Sequence, residues 1–212
     1  MADESAENRA DAAGRERNRP GRRRDRQAHQ EILEATIAVL REQGYQQLSI
    51  DAVAARAGVA KTTVYRWWPN KATLVIEALD TGLDLPPPQP TGDSRTDIRA
   101  TVTRIADTFG APPLGEVLPA LAVDLSHDPE ALTQLRAMLG PRRAANAAIL
   151  LAAAGRGDLP HDTDTNLLLD MVAGAVLYRC LLGGRPTPAL IDQLTEFVLG
   201  AGLPRASTGR DC

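Results

Sequence analysis

Apolar positions recur at helical spacing in separate blocks along the chain, and no stretch alternates like a strand for more than a few residues. From Gln27 to Glu42, Ala28, Ile32, Ala35, Val39 and Leu40 form one stripe, with Glu31, Glu34, Arg41 and Glu42 outside it. Gly44 is placed to close this helix as a C-cap. Ser49 then offers an N-cap hydroxyl, Ile50, Val53 and Ala57 share a face, and Gly58 stops a second short helix. A third helix is expected from Ala60 to Trp68, with Val64 and Trp68 four apart on its inner side. Asn70 can cap a fourth, running through Leu74, Ile76 and Leu79 to about Leu83. Residues 84–92, with four prolines and a glycine, break all periodicity and read as a loop.

The second half continues in helices. Ile98, Val102, Ile105 and Phe109 mark a stripe that ends at Gly110. Leu114 to Leu125 makes another, with Pro119 able to kink it or delay its start. The spacing then predicts a helix from Pro129 to Leu139, a stop at Gly140-Pro141, and a new helix from Arg142 to Ala154. Leu167 to Leu182 is apolar on nearly all sides, interrupted by Asp170 and Arg179, and is expected to be buried on most of its surface. A last helix, Ala189 to Leu199, carries Leu190, Leu194, Phe197 and Val198. The class is all-α.

Only 3% of residues are aromatic against 43% apolar, so Ala, Leu and Val must fill the core, which favours closely packed helices. No apolar run reaches eighteen residues, and the charged N-terminus has no signal-peptide core, so a cytoplasmic protein without a membrane partner is expected. Cys180 and Cys212 do not suggest a disulfide framework. The net charge of −3 hides an asymmetry: residues 15–75 hold 12 Lys/Arg against 6 Asp/Glu, a net of +6, and the remainder carries −9. A basic head on an acidic body fits a head that binds a polyanion. Residues 1–26 lack apolar periodicity and are expected to be a disordered basic arm, with Arg24 and Arg26 among the residues able to lie along phosphates.

Residues 49–68 are the most informative stretch. Two short helices joined at a glycine, with donors on the second, have the layout of a helix-turn-helix reader; the alternative by spacing alone is an ordinary helical hairpin with a polar wet side. An enzyme finds little support. His29, His127 and His161 have no metal-ligand spacing, no Gly-rich phosphate loop precedes a helix, and no nucleophile motif surrounds Cys180. Neither a metal nor a cofactor is expected.

Residues up to about 85 resemble the tetracycline-repressor (TetR) family of bacterial transcription regulators. The resemblance is carried by Ile32-Leu33, Ala35, Gly44-Tyr45, Val53-Ala54, Ala57-Gly58-Val59, Thr63-Val64-Tyr65, Trp68, Lys71 and Leu74. The sequence departs from the family where a His-Phe pair commonly follows the tyrosine region: Trp67-Trp68 stands there, and Trp68 is expected to take the packing role. Further on, Arg156-Gly157-Asp158-Leu159 and Asp162-Thr163-Asp164 look like one subgroup of the family. The resemblance implies a regulator, most simply a repressor, that binds double-stranded DNA as a homodimer and is released by a small-molecule effector. It assigns residues 27–85 to DNA binding and 86–203 to ligand binding and dimerisation, with a tail from 204 to 212.

The third helix then enters the major groove, with Lys61, Thr62 and Thr63 near base edges and phosphates. Tyr65, Arg66 and Trp67 are the next candidates, and Ser49 and Lys71 are expected at phosphates beside helix N-termini. Pocket candidates come from the apolar stripes: Phe109, Leu118, Leu121, Met138, Ile149, Met171, Val172, Ala175 and Tyr178. The competing class is a helical small-molecule-binding protein with no operator-binding role.

Overall fold

A computed structural model describes residues 20–82, 86, 88–110, 112–182 and 184–200. Among the described residues the chain is a succession of helices: α1 (Pro20–Gln47), α2 (Ile50–Ala57), α3 (Lys61–Tyr65), α4 (Lys71–Gly82), α5 (Ser94–Gly110), α6 (Leu114–Leu125), α7 (Pro129–Arg156), α8 (Thr165–Leu181) and α9 (Pro188–Leu199). The all-α expectation is met.

The expected stripe of α1 is buried: Ile32, Ala35, Val39 and Leu40 lie in the core. Thr36 lies among them with no exposure, and its hydroxyl donates to the Ile32 carbonyl at 2.7 Å, which satisfies a polar group in an apolar setting. Gly44 breaks the helix at φ 74°, ψ 170°, a conformation that side chains resist, and Tyr45 and Leu48 then turn inward. The start of α1 corrects the sequence reading. Helix begins at Pro20, so residues 20–26 are not a disordered arm, while residues 1–19 lie outside the described residues. Proline suits a first helical position. Polar pairs one turn apart then support the exposed part of α1, with Gln27 donating to Glu31 at 2.9 Å and Gln30 to Glu34 at 3.1 Å. The expected tail at 204–212 also lies outside the described residues.

The break expected at Gly140-Pro141 does not occur. α7 runs unbroken from Pro129 to Arg156 with Pro141 inside it. Its two halves serve different cores. Ala131, Leu135 and Met138 join the cluster that holds α1–α4 and α6, whereas Leu150, Ala153 and Ala154 join the cluster of α5, α8 and α9. Burial at both ends outweighs the backbone bond that the proline removes. α7 is therefore a rod through both halves of the molecule. The loop expected over residues 84–92 carries no helix at its described positions, but packing does not divide there: Leu114, Val117 and Leu121 of α6 belong to the first cluster.

The glycine and aspartates of the second-half motifs have local duties. Gly157 ends α7, its N–H donating to Ala154 O while Asp158 N–H reaches Ala153 O, both at 3.0 Å, the paired bonds of a Schellman cap. Asp164 caps α8 by accepting from the N–H groups of Asn166 and Leu167 at 3.0 Å. α8 itself is less buried than expected. Leu168, Leu169, Val172 and Val176 face the core, but Leu167, Met171, Tyr178 and Leu181 are exposed on the opposite side. Among the described residues nothing covers them.

Candidate nucleic-acid interface

The reading unit is assembled by local signals. Ser49, extended at φ −127°, accepts from Ala52 N–H at 3.1 Å and starts α2. Gly58, left-handed at φ 67°, stops it, with Gly58 N–H on Ala55 O and Val59 N–H on Ala54 O. The chain then turns directly into α3. Its helical bounds are narrower than the expected Ala60–Trp68; beyond Tyr65 the backbone winds on through turn bonds from Trp67 and Trp68 to Val64 O at 3.0 Å. Val64 and Trp68 are buried as expected, and Trp68 packs at 1% exposure.

With those two side chains inside, Lys61, Thr62, Tyr65 and Arg66 point to solvent, and Thr63 and Trp67 are half-buried. Ser49, Arg24 and Arg26 are exposed as well. The cations are tethered. Lys61 Nζ lies 2.8 Å from Asp51 Oδ1 and 5.8 Å from the centroid of the Tyr65 ring, and its hydrogen bond to Asp51 holds its pKa above the ordinary value. Arg66 reaches back to Asp25 of α1 at 2.8 Å and lies 5.4 Å from the Trp67 ring. These pairs are exposed, so a phosphate or base edge can replace the carboxylate at little cost. Lys71 is engaged within the head. Its ammonium donates to the Tyr45 carbonyl at 3.1 Å and sits 4.2 Å over the Tyr45 ring, bracing the segment after Gly44.

Sequence reasoning did not find His29. Its ring lies 4.1 Å from that of Trp67 and 4.8 Å from that of Trp68. Glu77 of α4 joins this stack to the head, with one oxygen 3.0 Å from His29 Nε2 and the other accepting from Trp68 Nε1 at 2.8 Å. Trp67 is thus packed on a ring of α1 and steadies the turn behind α3. The one available signal was His29 at the edge of the α1 stripe, facing a tryptophan pair far along the chain in no readable register. Asp25 and Asp51, the partners of Arg66 and Lys61, were likewise overlooked.

The pocket candidates do not gather at one place. Leu121, Met138, Ile149 and Val172 are core, Met171 and Tyr178 are exposed, and Ala175 is half-buried. Phe109 lines a cavity with Ile105, Leu139, Asn146 and Leu169, whereas Leu118 lines another with Pro119, Leu177 and Cys180. Among the described residues no helix is long and apolar enough to cross a membrane.

Comparison with known proteins agrees with this geometry. Residues 32–78 match the family described as bacterial regulatory proteins, tetR family, and residues 88–198 match the tetracyclin repressor-like C-terminal domain. The chain is 32% identical over 166 residues to the HTH-type transcriptional regulator YdeS of Bacillus subtilis, covering 77% of this chain and 83% of YdeS. It is 34% identical over 177 residues to the DNA-binding transcriptional repressor TetR of Mycobacteroides abscessus, covering 79% and 90% of the two chains. Among solved structures, the TetR family transcription regulator SCO0332 superposes with a TM-score of 0.64 at 31% identity, covering 84% of this chain and 99% of that one. FadR from Bacillus subtilis in complex with stearoyl-CoA shares the fold at 15% identity, with a TM-score of 0.56 over 80% and 97% of the two chains. The chain belongs to the tetracycline-repressor family of bacterial helix-turn-helix transcriptional regulators.

Proposed function

We propose that the protein is a repressor that binds a palindromic operator as a homodimer and releases it when a small molecule occupies the body. The observation that carries DNA reading is the outward set on α3, Lys61, Thr62, Tyr65 and Arg66, held on a capped helix pair by buried Val64 and Trp68. Lys61, Thr62 and Thr63 approach base edges in the major groove, while Tyr65 and Ser49 meet phosphates. Arg24 and Arg26 lie on the exposed part of α1 and add backbone contacts. Residues 27–85 act as the DNA-binding unit and 86–203 as the unit for ligand and partner. A protein working on operator DNA in a bacterium acts in the cytoplasm.

Dimerisation is supported by α8 and α9. Leu167, Met171, Tyr178, Leu181 and Leu182 fall within one face at helical spacing, 42–70% exposed, with Phe197 of α9 at 42%. Contiguous apolar surface of this kind marks an interface. A two-fold pair on this face sets two reading heads roughly 34–36 Å apart, one turn of duplex. Repression follows the relatives named as repressors. Footprinting on the DNA upstream of the protein's own gene tests the reading: a protected inverted repeat is expected, and no protection at any concentration that saturates a dimer overturns it.

A further inference from the structure

Two guanidinium groups converge where the head meets the body. Arg104 of α5 and Arg142 of α7 line a groove of about 340 Å³ together with Asp80 of α4 and Pro141. Arg142 donates to Asp80 Oδ1 at 2.9 Å and to the Met138 carbonyl at 2.6 Å. Arg104 donates one N–H to the Pro86 carbonyl, but its Nε is buried and has no acceptor among the described residues. Burial, and then the charge of Arg142, pull the Arg104 guanidinium below its ordinary pKa. Asp80 already balances the charge of Arg142, so what the groove leaves unsatisfied is the buried Nε donor of Arg104, an atom that is costly to leave without an acceptor.

On its other side Arg142 borders a cavity of about 90 Å³, apolar along Ile105, Phe109, Leu139, Leu169 and Ala173. Asn146 also lines it, at 7% exposure, and its Oδ1 is buried with no donor among the described residues. Arg142 thus lines both the groove that holds the unsatisfied donor of Arg104 and a small, mainly apolar cavity that holds the unsatisfied acceptor of Asn146. Native proteins seldom leave such buried atoms unpaired.

We propose that this is the effector site and that it takes a small organic anion. The negative end lies against Arg104, where it gives the Nε an acceptor, with Arg142 beside it as a second donor already braced by Asp80. A short apolar part enters the cavity beside Phe109 and Leu169. A hydroxyl or N–H on that part gives Asn146 Oδ1 its donor. The assignment rests on the reading of the body as a ligand-binding unit, but not on any property of the operator. The pocket candidates taken from apolar stripes passed over both arginines, because charged residues do not show on such stripes.

The test uses the full chain without DNA, so a failure of operator binding does not enter it. Melting and calorimetric titration are followed with sodium hexanoate, 1-hexanol and inorganic phosphate, each up to about 10 mM, a range that detects even millimolar binders. Hexanoate is expected to bind and raise the melting temperature, with hexanol and phosphate each giving a much smaller response. Arg104→Gln should weaken hexanoate roughly tenfold, the loss of one charge-assisted hydrogen bond. Ala173→Leu, which fills the cavity and leaves both arginines in place, should abolish the preference for hexanoate over phosphate. No response to hexanoate in the wild type overturns the proposal, as does an equal response to hexanol or an undiminished one in Arg104→Gln. An equal response to phosphate overturns the organic part of the assignment.

Discussion

The hydroxyl of Tyr45 donates to the carboxylate of Asp124, joining the segment after the Gly44 break to the end of α6 across 79 positions of sequence. Burial, and then the hydrogen bond to Asp124 and its charge, push the tyrosine pKa up, so the hydroxyl remains a donor throughout the working range. Three more polar bonds lie along the same seam. Asn70 Nδ2 donates to Asp128 at 2.7 Å, Gln134 Nε2 to the Thr73 carbonyl at 3.1 Å, and Arg142 to Asp80 at 2.9 Å. The head is therefore bonded to α6 and α7 by a row of directional contacts, and a movement of α7 must either carry the head with it or break them.

Tyr45→Phe should lower stability by about 1–2 kcal/mol, because it removes the donor and leaves the half-buried Asp124 carboxylate without it. For a chain of this size that is a fall of roughly 2–4 °C in melting temperature per kcal/mol, measurable by calorimetry. A melting temperature equal to that of the wild type would show that the bond does not contribute to the seam's stability.

Ser49→Ala should cost about 1 kcal/mol, the usual loss of an N-cap hydroxyl, since the Ala52 N–H then has no side-chain acceptor. Chemical denaturation reads this directly. Ser49→Asp, which keeps an acceptor, should restore folding stability while lowering operator affinity through repulsion of the phosphate.

Asp97 provides a pH-dependent contribution. The Thr91 N–H and hydroxyl, the Gly92 N–H and the Arg156 charge hold its carboxyl below the ordinary 3.8. A depressed folded value means that the stabilisation is present above the unfolded value and is lost as pH falls through the folded one. The wild type should therefore lose stability below about pH 4 more steeply than Asp97→Asn, which is weaker at neutral pH. Parallel acid-unfolding curves would contradict this.

Much of the fold was legible because its signals are local. Ser49, Gly58 and Asn70 end or begin helices through their own backbone and side-chain chemistry, and α5 ends at Gly110 as the pattern placed it. Pro141 was misleading for the opposite reason. Proline signals a stop, yet Leu135 and Met138 on one side and Leu150 and Ala153 on the other bury themselves in two separate cores and keep α7 in one piece. The helical run through residues 20–26 was hidden because its charges carry no apolar period. The site was half legible. The outward residues of α3 follow from which neighbours must be buried, but the stacking of His29 on Trp67 and the approach of Arg104 to Arg142 depend on tertiary placement.

Leu181→Glu should convert the proposed dimer into a monomer, since it places a charge at the C-terminal end of the exposed α8 face without touching the core. Light scattering at working concentration gives the mass, and a wild type that is already monomeric would show that this face is not an interface between two copies.

The most direct measurement is a titration of the wild type, Lys61→Ala and Tyr65→Ala against the DNA upstream of the protein's own gene. Both side chains are exposed on α3 and hold no core position, so melting temperature and dimer mass should match the wild type. Operator affinity is predicted to fall by about 1–3 kcal/mol for Lys61→Ala, as for a side chain at a base edge, while Tyr65→Ala should weaken all sequences alike, as for one at a phosphate. Wild-type affinity in both variants would contradict the assignment of α3 as the reading helix.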